Sequence, residues 1–235
     1  MESLPELAAA IGLGLTAAQR EQFEAYEALL LQWNARISLT AIRDPSEVRI
    51  RHFLDSLTCA TVTGSLEGLS LIDVGTGAGF PGIPLKIVYP GLQLTLVDSV
   101  AKKTRFLEAV VAELALSDVA LVSERAEALG RKDGYRERFD WAVARAVAEL
   151  RVLAEYLLPL CKVGGHALAQ KGDSAAREIA AAENAVQQLG GGNIRLTSVR
   201  LPDVEQAHNL VVIPKLRPTD GRYPRRVGIP AKRPL

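Results

Sequence analysis

Residues 71 to 86, LIDVGTGAGFPGIPLK, run from an apolar stretch through an aspartate into glycines at alternate positions. Leu71, Ile72 and Val74 have the branched, apolar character of a strand buried on both faces, and Asp73 stands where such a strand would end. Gly75, Gly77 and Gly79 then make a loop, since glycine turns tightly at positive φ and lets a ligand approach without meeting a Cβ. Pro81 suits the first turn of a following helix, where its missing N–H would have had no partner. Strand, glycine loop and helix in this order point to a nucleotide-type ligand.

Two spacings compete for the loop. Gly77, Gly79 and Gly82 satisfy G-x-G-x-x-G, the dinucleotide fingerprint, whereas Asp73, Gly75, Gly77 and Gly79 satisfy D-x-G-x-G-x-G, which resembles motif I of class I S-adenosyl-L-methionine (AdoMet) methyltransferases. The second spacing puts a glycine directly after the strand. The first delays its leading glycine by two residues and drops Pro81 and Pro84 into the turn and the first helical turn. The methyltransferase spacing is preferred.

From Leu71 onward strands and helices alternate, which implies a parallel sheet covered by helices on both sides. A second strand, Leu92 to Val97, ends at Asp98, 19 residues beyond Gly79 and placed to accept hydrogen bonds from both hydroxyls of a ribose. Lys102 and Lys103 follow on the first turn of the next helix, where cations oppose the helix dipole and hint at an anionic partner. A third strand, Val119 to Ser123, leads to Ala126 and Glu127, where the chain would pass an adenine; a plain surface glutamate is the competing reading. The fourth strand ends at Arg145, at the sheet edge that lines the crevice of open α/β folds. Salt-bridging inside the domain is the alternative use of that guanidinium. Gly164-Gly165 reads as a turn into a fifth strand, His166 to Gln170, with Lys171 a second cation at the same edge. Residues 174 to 189 form an amphipathic helix, and two closing strands, Ile194 to Leu201 and Asn209 to Ile213, suit an antiparallel end hairpin.

Ahead of the sheet the first 60 residues read as a helical cap. Thr16 and Gln19 make a capping-box pattern, and Phe23, Tyr26, Leu30, Trp33 and Ile37 recur at helical spacing as a packing face. Glu2, Glu6, Glu21, Glu24 and Glu27 make this end acidic. In residues 38 to 57, Pro45 after Asp44 marks a helix start, and His52 and Asp55 would overhang the ligand loop. The expected organisation is a cap over residues 1–60, the ligand-binding domain over 61–213 and a tail over 214–235. That tail carries five of the twelve prolines, and from Lys215 to Leu235 seven Lys or Arg stand against one acid. Such a segment either solubilises as a disordered tail or lays Tyr223, Arg225 and Arg226 over RNA, combining stacking with backbone contacts.

Composition excludes little else. With 48% hydrophobic and 23% charged residues over 235 positions, one ordinary globular domain with appendages is expected. The net charge of +1 is uninformative about partners. Cys59 and Cys161 lie far apart with no C-x-x-C, so neither a disulfide framework nor a metal site is indicated. No basic leader and no uncharged apolar run of membrane-spanning length is present, and a soluble, cytoplasmic monomer is expected.

The segments SLTAIRDP, RHFLDSL, LIDVGTGAGFPGIPLKIVYP, LVDS with AKK, ARA at 144 to 146, QKG at 170 to 172 and the tail YPRRVGIPAKRPL together resemble the RsmG family, also called glucose-inhibited division protein B. That resemblance implies a Rossmann-like class I fold with a mostly parallel seven-stranded sheet and an N-terminal helical extension. It also implies an AdoMet-dependent enzyme that methylates N7 of guanosine 527 in the 530 loop of bacterial 16S ribosomal RNA, free or within the 30S subunit or an assembly intermediate. Carried over by position, AdoMet contacts fall on Gly75, Phe80, Ala126, Glu127 and Arg145, with Asp73, Gly77, Gly79 and Asp98 following the general methyltransferase pattern. RNA contacts are expected at His52, Lys102, Lys103, Lys171, Tyr223, Arg225 and Arg226. The family often has arginine where this chain has Lys103, which weakens bidentate phosphate binding there. Guanine N7 offers a free lone pair at neutral pH, so no general base is needed, and catalysis would rest on alignment. A nicotinamide oxidoreductase would need the weaker glycine spacing and a proton relay; a non-catalytic RNA-binding protein would have no use for Asp73, the glycine loop and Asp98 together.

Overall fold

The structure, a computed structural model, describes residues 3–235; Glu2, part of the acidic N-terminal end, lies outside the described residues. Seven strands form one sheet in the order β3-β2-β1-β4-β5-β7-β6, where β1 is Ser70–Val74, β2 Gln93–Val97, β3 Val119–Val122, β4 Phe139–Arg145, β5 Cys161–Lys171, β6 Arg195–Val199 and β7 His208–Pro214. β1 to β5 run parallel, and β7 lies antiparallel between β5 and β6. Parallel strands need helical crossovers, and these cover both faces.

Side-chain alternation sorts the central strands into two cores. Leu71, Trp141, Val143, Leu168, Leu210 and Val212 face one way, into the layer holding Phe23, Tyr26, Leu30 and Phe53 from the N-terminal segment. Ile72, Ala142, Ala144, Ala167, Ala169, Val211 and Ile213 face the other, into the helices Leu150–Leu157 and Ala175–Gln188. The N-terminal segment is therefore one wall of the first core.

That segment is built as its sequence dictates. Thr16 and Gln19 exchange side-chain to backbone hydrogen bonds at the start of the helix Ala17–Asn34. Along this helix Tyr26 is fully buried, sits 5.2 Å from the Phe53 ring and 5.5 Å from the Phe80 ring, and donates its hydroxyl hydrogen to the Ala78 carbonyl in the glycine loop. The aromatic stripe is thus a packing face whose far end touches the loop. Asp44 caps the turn Pro45–Val48, which passes into a π-helical stretch, Arg49–Leu54. Such a stretch is a rare geometry that often re-aims side chains at functional sites.

Two expectations change. β5 begins at Cys161, not His166, because Gly164 and Gly165 continue the strand through an irregular register instead of turning it. A side chain at Gly165 would lie 2.7 Å from the Asp140 carbonyl, and the Gly164 N–H donates to the Lys215 carbonyl at 2.8 Å. The basic tail, read from sequence as disordered or RNA-bound, is docked on the protein. Arg136 reaches the carbonyls of Thr219 and Tyr223 at 2.6 and 2.7 Å, Arg131 the carbonyl of Pro224 at 2.7 Å, and the buried carboxylate of Glu155 grips Arg225 through both oxygens. Proline-rich chain has few internal hydrogen bonds, and arginines of the globular part supply what it lacks.

Gly82 opens the helix Gly82–Val88 where it presses on the sheet: an added Cβ would lie 2.6 Å from Leu96 Cδ2 and 2.9 Å from Asp73 Oδ2. Gly82→Ala is expected to lower unfolding stability by about 1–3 kcal/mol, the usual cost of overpacking. Urea unfolding followed by circular dichroism checks this.

Candidate active site

The loop after β1 is held by two carboxylates. Asp73, wholly buried one residue from the strand end, accepts the Gly82 N–H at 2.9 Å and the Thr76 hydroxyl at 2.7 Å on Oδ2. Its Oδ1 is buried without a partner. Burial pushes this carboxyl up to about 6, against the pull of Thr76, Gly82 and the more distant Arg145. Asp98, at the end of β2, accepts the Gly77 N–H at 3.0 Å and the Val100 N–H at 2.9 Å, with Lys103 Nζ 3.3 Å from Oδ2. The glycine loop is thereby tied to the neighbouring strand end.

Between these strand ends lies a cleft of about 260 Å³ whose walls include Gly75, Asp98, Lys103, Ala126, Glu127 and Val147. A Cβ at Gly75 would sit 2.6 Å from Val147 Cγ2, so only glycine lets the loop and the chain after β4 approach so closely. Glu127, expected as either a binding or a surface residue, is buried, and its Oε1 accepts the Gly228 N–H of the tail at 2.9 Å. Tyr156 completes that corner, its hydroxyl pushed up to about 12 by burial and by the Glu127 charge.

A second cavity, about 430 Å³, opens on the other side of Ala146, which lines both. Arg51, Asp55 and Lys171 line it, and so does Arg145. Its guanidinium donates to Asp55 Oδ2 at 3.0 Å and to the Arg51 carbonyl at 3.3 Å, and stands 4.8 Å above the Phe80 ring. His52 stacks on the same ring at 4.6 Å and meets Thr40 Oγ1 at 2.7 Å. Burial, and then Arg145, lower the His52 imidazole to about 4, so it is neutral at physiological pH. Asp55 Oδ1 accepts His208 Nδ1–H at 2.9 Å, and the Asp55 carbonyl accepts Gln170 Nε2–H at 2.9 Å.

The structure therefore brings Gly75, Asp98, Ala126 and Glu127 to one cleft and His52 and Arg145 to the adjoining cavity, while Asp73 and Phe80 are buried behind them and Gly77 and Gly79 belong to the loop without lining the cleft. It does not bring the tail there as an RNA arm. Tyr223 is buried with its hydroxyl on Gln188 Oε1 at 3.0 Å, so its ring has no free face to stack, and Arg225 is spent on Glu155. Lys171 is turned inward, bonding the Ala148 carbonyl at 2.8 Å and Glu178 at 2.7 Å with a side chain only 10% exposed. A phosphate would have to break that pair. Lys102 and Arg226 are exposed, and Lys103 shares Asp98. Sequence reading missed His208 and Gln170. Each is an ordinary strand-end residue until the sheet order sets β7 beside β5. Among the described residues no cluster of His, Cys, Asp or Glu is placed to hold a metal ion, and no helix is long and apolar enough to cross a membrane.

Residues 19–208 match the family model for GidB, rRNA small subunit methyltransferase G. The chain is 51% identical to ribosomal RNA small subunit methyltransferase G of Roseiflexus castenholzii over the full length of both, and 47% identical to that of Alkaliphilus oremlandii over 99% of this chain and 97% of that one. Among solved structures, an SAM-dependent O-methyltransferase from Thermotoga maritima superposes with a TM-score of 0.54 at 15% identity, covering 81% of this chain and 73% of that one, which shows the same class I fold.

A buried carboxyl raised from 3.8 to about 6 weakens the fold once ionised. The penalty is absent below the unfolded value, grows between about pH 4 and 6, and is complete above, on the order of 2–3 kcal/mol. Asp73→Asn, which keeps an acceptor for Gly82 and Thr76, is expected to gain stability relative to the wild type at pH 8 and to gain less at pH 5. Paired thermal melts at the two pH values test it.

Proposed function

The chain belongs to the GidB family, rRNA small subunit methyltransferase G, and from that footing we propose that this methyltransferase moves the methyl group of AdoMet to N7 of guanosine 527 in the 530 loop of 16S ribosomal RNA in the bacterial cytoplasm. The observation that carries the reading is the pair of cavities meeting at Ala146, one beside the Asp98 carboxylate and one beside Arg145.

AdoMet fits the first cleft on the chemistry of its walls. The carboxylate of Asp98 lines it, and in such folds an acid at the end of the second strand meets the ribose, while nothing within 4 Å other than the Gly75 carbonyl faces the position a Gly77 side chain would take. Asp98 would hold the ribose hydroxyls, the backbone from Gly75 to Gly79 the amino-acid part, and Ala126 with Glu127 the adenine. When bound, AdoMet supplies a methyl group made electrophilic by its sulfonium.

The protein's own task is alignment and charge balance. Guanine N7 has a free lone pair at neutral pH, so no residue must first remove a proton, and holding the base in line supplies the rate. Arg145, stacked over Phe80, would donate to the Hoogsteen edge, where guanine presents O6 beside N7. A bare guanidinium would oppose the positive charge that builds on the base as N7 is alkylated. Asp55, 3.0 Å from Arg145, neutralises it. Neutral His52 adds no further charge.

Labelled methyl from AdoMet is expected in 16S RNA or 30S particles, with N7-specific strand scission mapping a single 530-loop guanosine. Tight AdoMet binding without labelling of either RNA would leave the fold reading intact and overturn the substrate. Arg145→Ala is expected to cut kcat/KM by about 100-fold or more, in the range lost with one transition-state donor; single-turnover kinetics on the folded variant measures it.

A further inference from the structure

The cavity beside Arg145 is lined by a residue with no part in the proposed alignment of the base. Gln170, at the carboxyl end of β5, is paired in register with Arg145 on β4 and is 7% exposed. Its Nε2–H donates to the Asp55 carbonyl at 2.9 Å. This bond fixes the amide, because a flipped side chain would set two carbonyl oxygens against each other. Oε1 is then a fixed acceptor, and it is buried without a partner. An orphaned acceptor of this kind is costly, and folds retain it where a ligand satisfies it.

The chemistry of the missing partner can be specified. It must be an N–H or O–H donor carried by something that enters the cavity lined by Arg145, Gln170 and His208. Guanine meets this requirement, since its N1–H and 2-amino group are donors at one edge, while adenine offers at the same place an acceptor nitrogen and a C–H. When N7 and O6 face Ala146 and Arg145, the 2-amino group is the part of the base most remote from N7. We infer that Gln170 is a specificity-determining residue whose Oε1 accepts a hydrogen bond from the 2-amino group of the target guanine.

This assignment rests on the guanosine reading above, and the test separates the two. Small subunits are reconstituted from ligated 16S RNA carrying guanosine or inosine at the target position; inosine lacks only the 2-amino group and keeps N7 and O6. The wild-type enzyme is expected to methylate inosine at least about tenfold more slowly than guanosine, the cost of leaving a buried acceptor unpaired. Gln170→Leu is expected to be slow on guanosine by a similar factor and to show no further loss on inosine, a non-additivity that mere loosening of the structure would not produce. Equal wild-type rates on the two substrates would overturn the assignment while leaving the guanosine reading standing, and this arm does not depend on how the variant folds. A variant that discriminates as strongly as the wild type would also overturn it. Wild-type enzyme that labels neither RNA would overturn the guanosine reading and the assignment with it.

Discussion

One carboxylate, that of Asp55, fastens the N-terminal segment to one edge of the sheet, where Arg145, Gln170 and His208 stand. Its two oxygens take hydrogen bonds from Arg145 on β4 and His208 on β7, and its carbonyl takes one from Gln170 on β5. Three adjacent strands thus converge on a residue that lies outside the sheet in sequence. A buried carboxylate is tolerated only when its lone pairs are satisfied this fully. The same contacts orient Arg145 and Gln170, so folding the cap down and assembling the second cavity are one event. The π-helical turn before Asp55 belongs to this device, because it sets His52 on Phe80 and the Arg51 carbonyl on Arg145 in the same stretch of chain.

The opposite arrangement governs the first cleft. Asp98 is shared among the glycine loop, the next helix and Lys103, and Glu127 is held from behind by the tail. Lys103 balances Asp98 at 3.3 Å, which explains how a lysine in the first turn of a helix is tolerated against the dipole. The tail likewise takes a structural part. Its backbone fills a groove between arginines 131 and 136 and the Glu155 carboxylate, and its Gly228 amide ends on Glu127. Basic composition there answers internal acids as much as any polyanion.

What the sequence made legible follows from the range of the interactions. Strand positions, the glycine loop, Asp73, Asp98 and the strand-end Arg145 all rest on local pattern: periodicity, turn chemistry and the rule that carboxyl ends of parallel strands face the crevice. Residues whose role depends on long-range pairing were not legible in this way. Lys171 reads as a free cation until Glu178, on the following helix, is seen to claim it, and Tyr223 reads as a stacking platform until Gln188 takes its hydroxyl. Gly164 and Gly165 read as a turn because nothing local announces that the Lys215 backbone will pair with them.

The division of charge between the two cavities follows the demands of methyl transfer. A cationic methyl donor and a base that becomes cationic on alkylation both favour an anionic lining, yet RNA recognition favours cations. Here Asp98 and Glu127 line the first cleft, and the cation of the adjoining cavity, Arg145, is offset by Asp55 3.0 Å away. Burial of Asp73 raises its carboxyl to about 6, against the hydrogen bonds it accepts from the Thr76 hydroxyl and the Gly82 N–H.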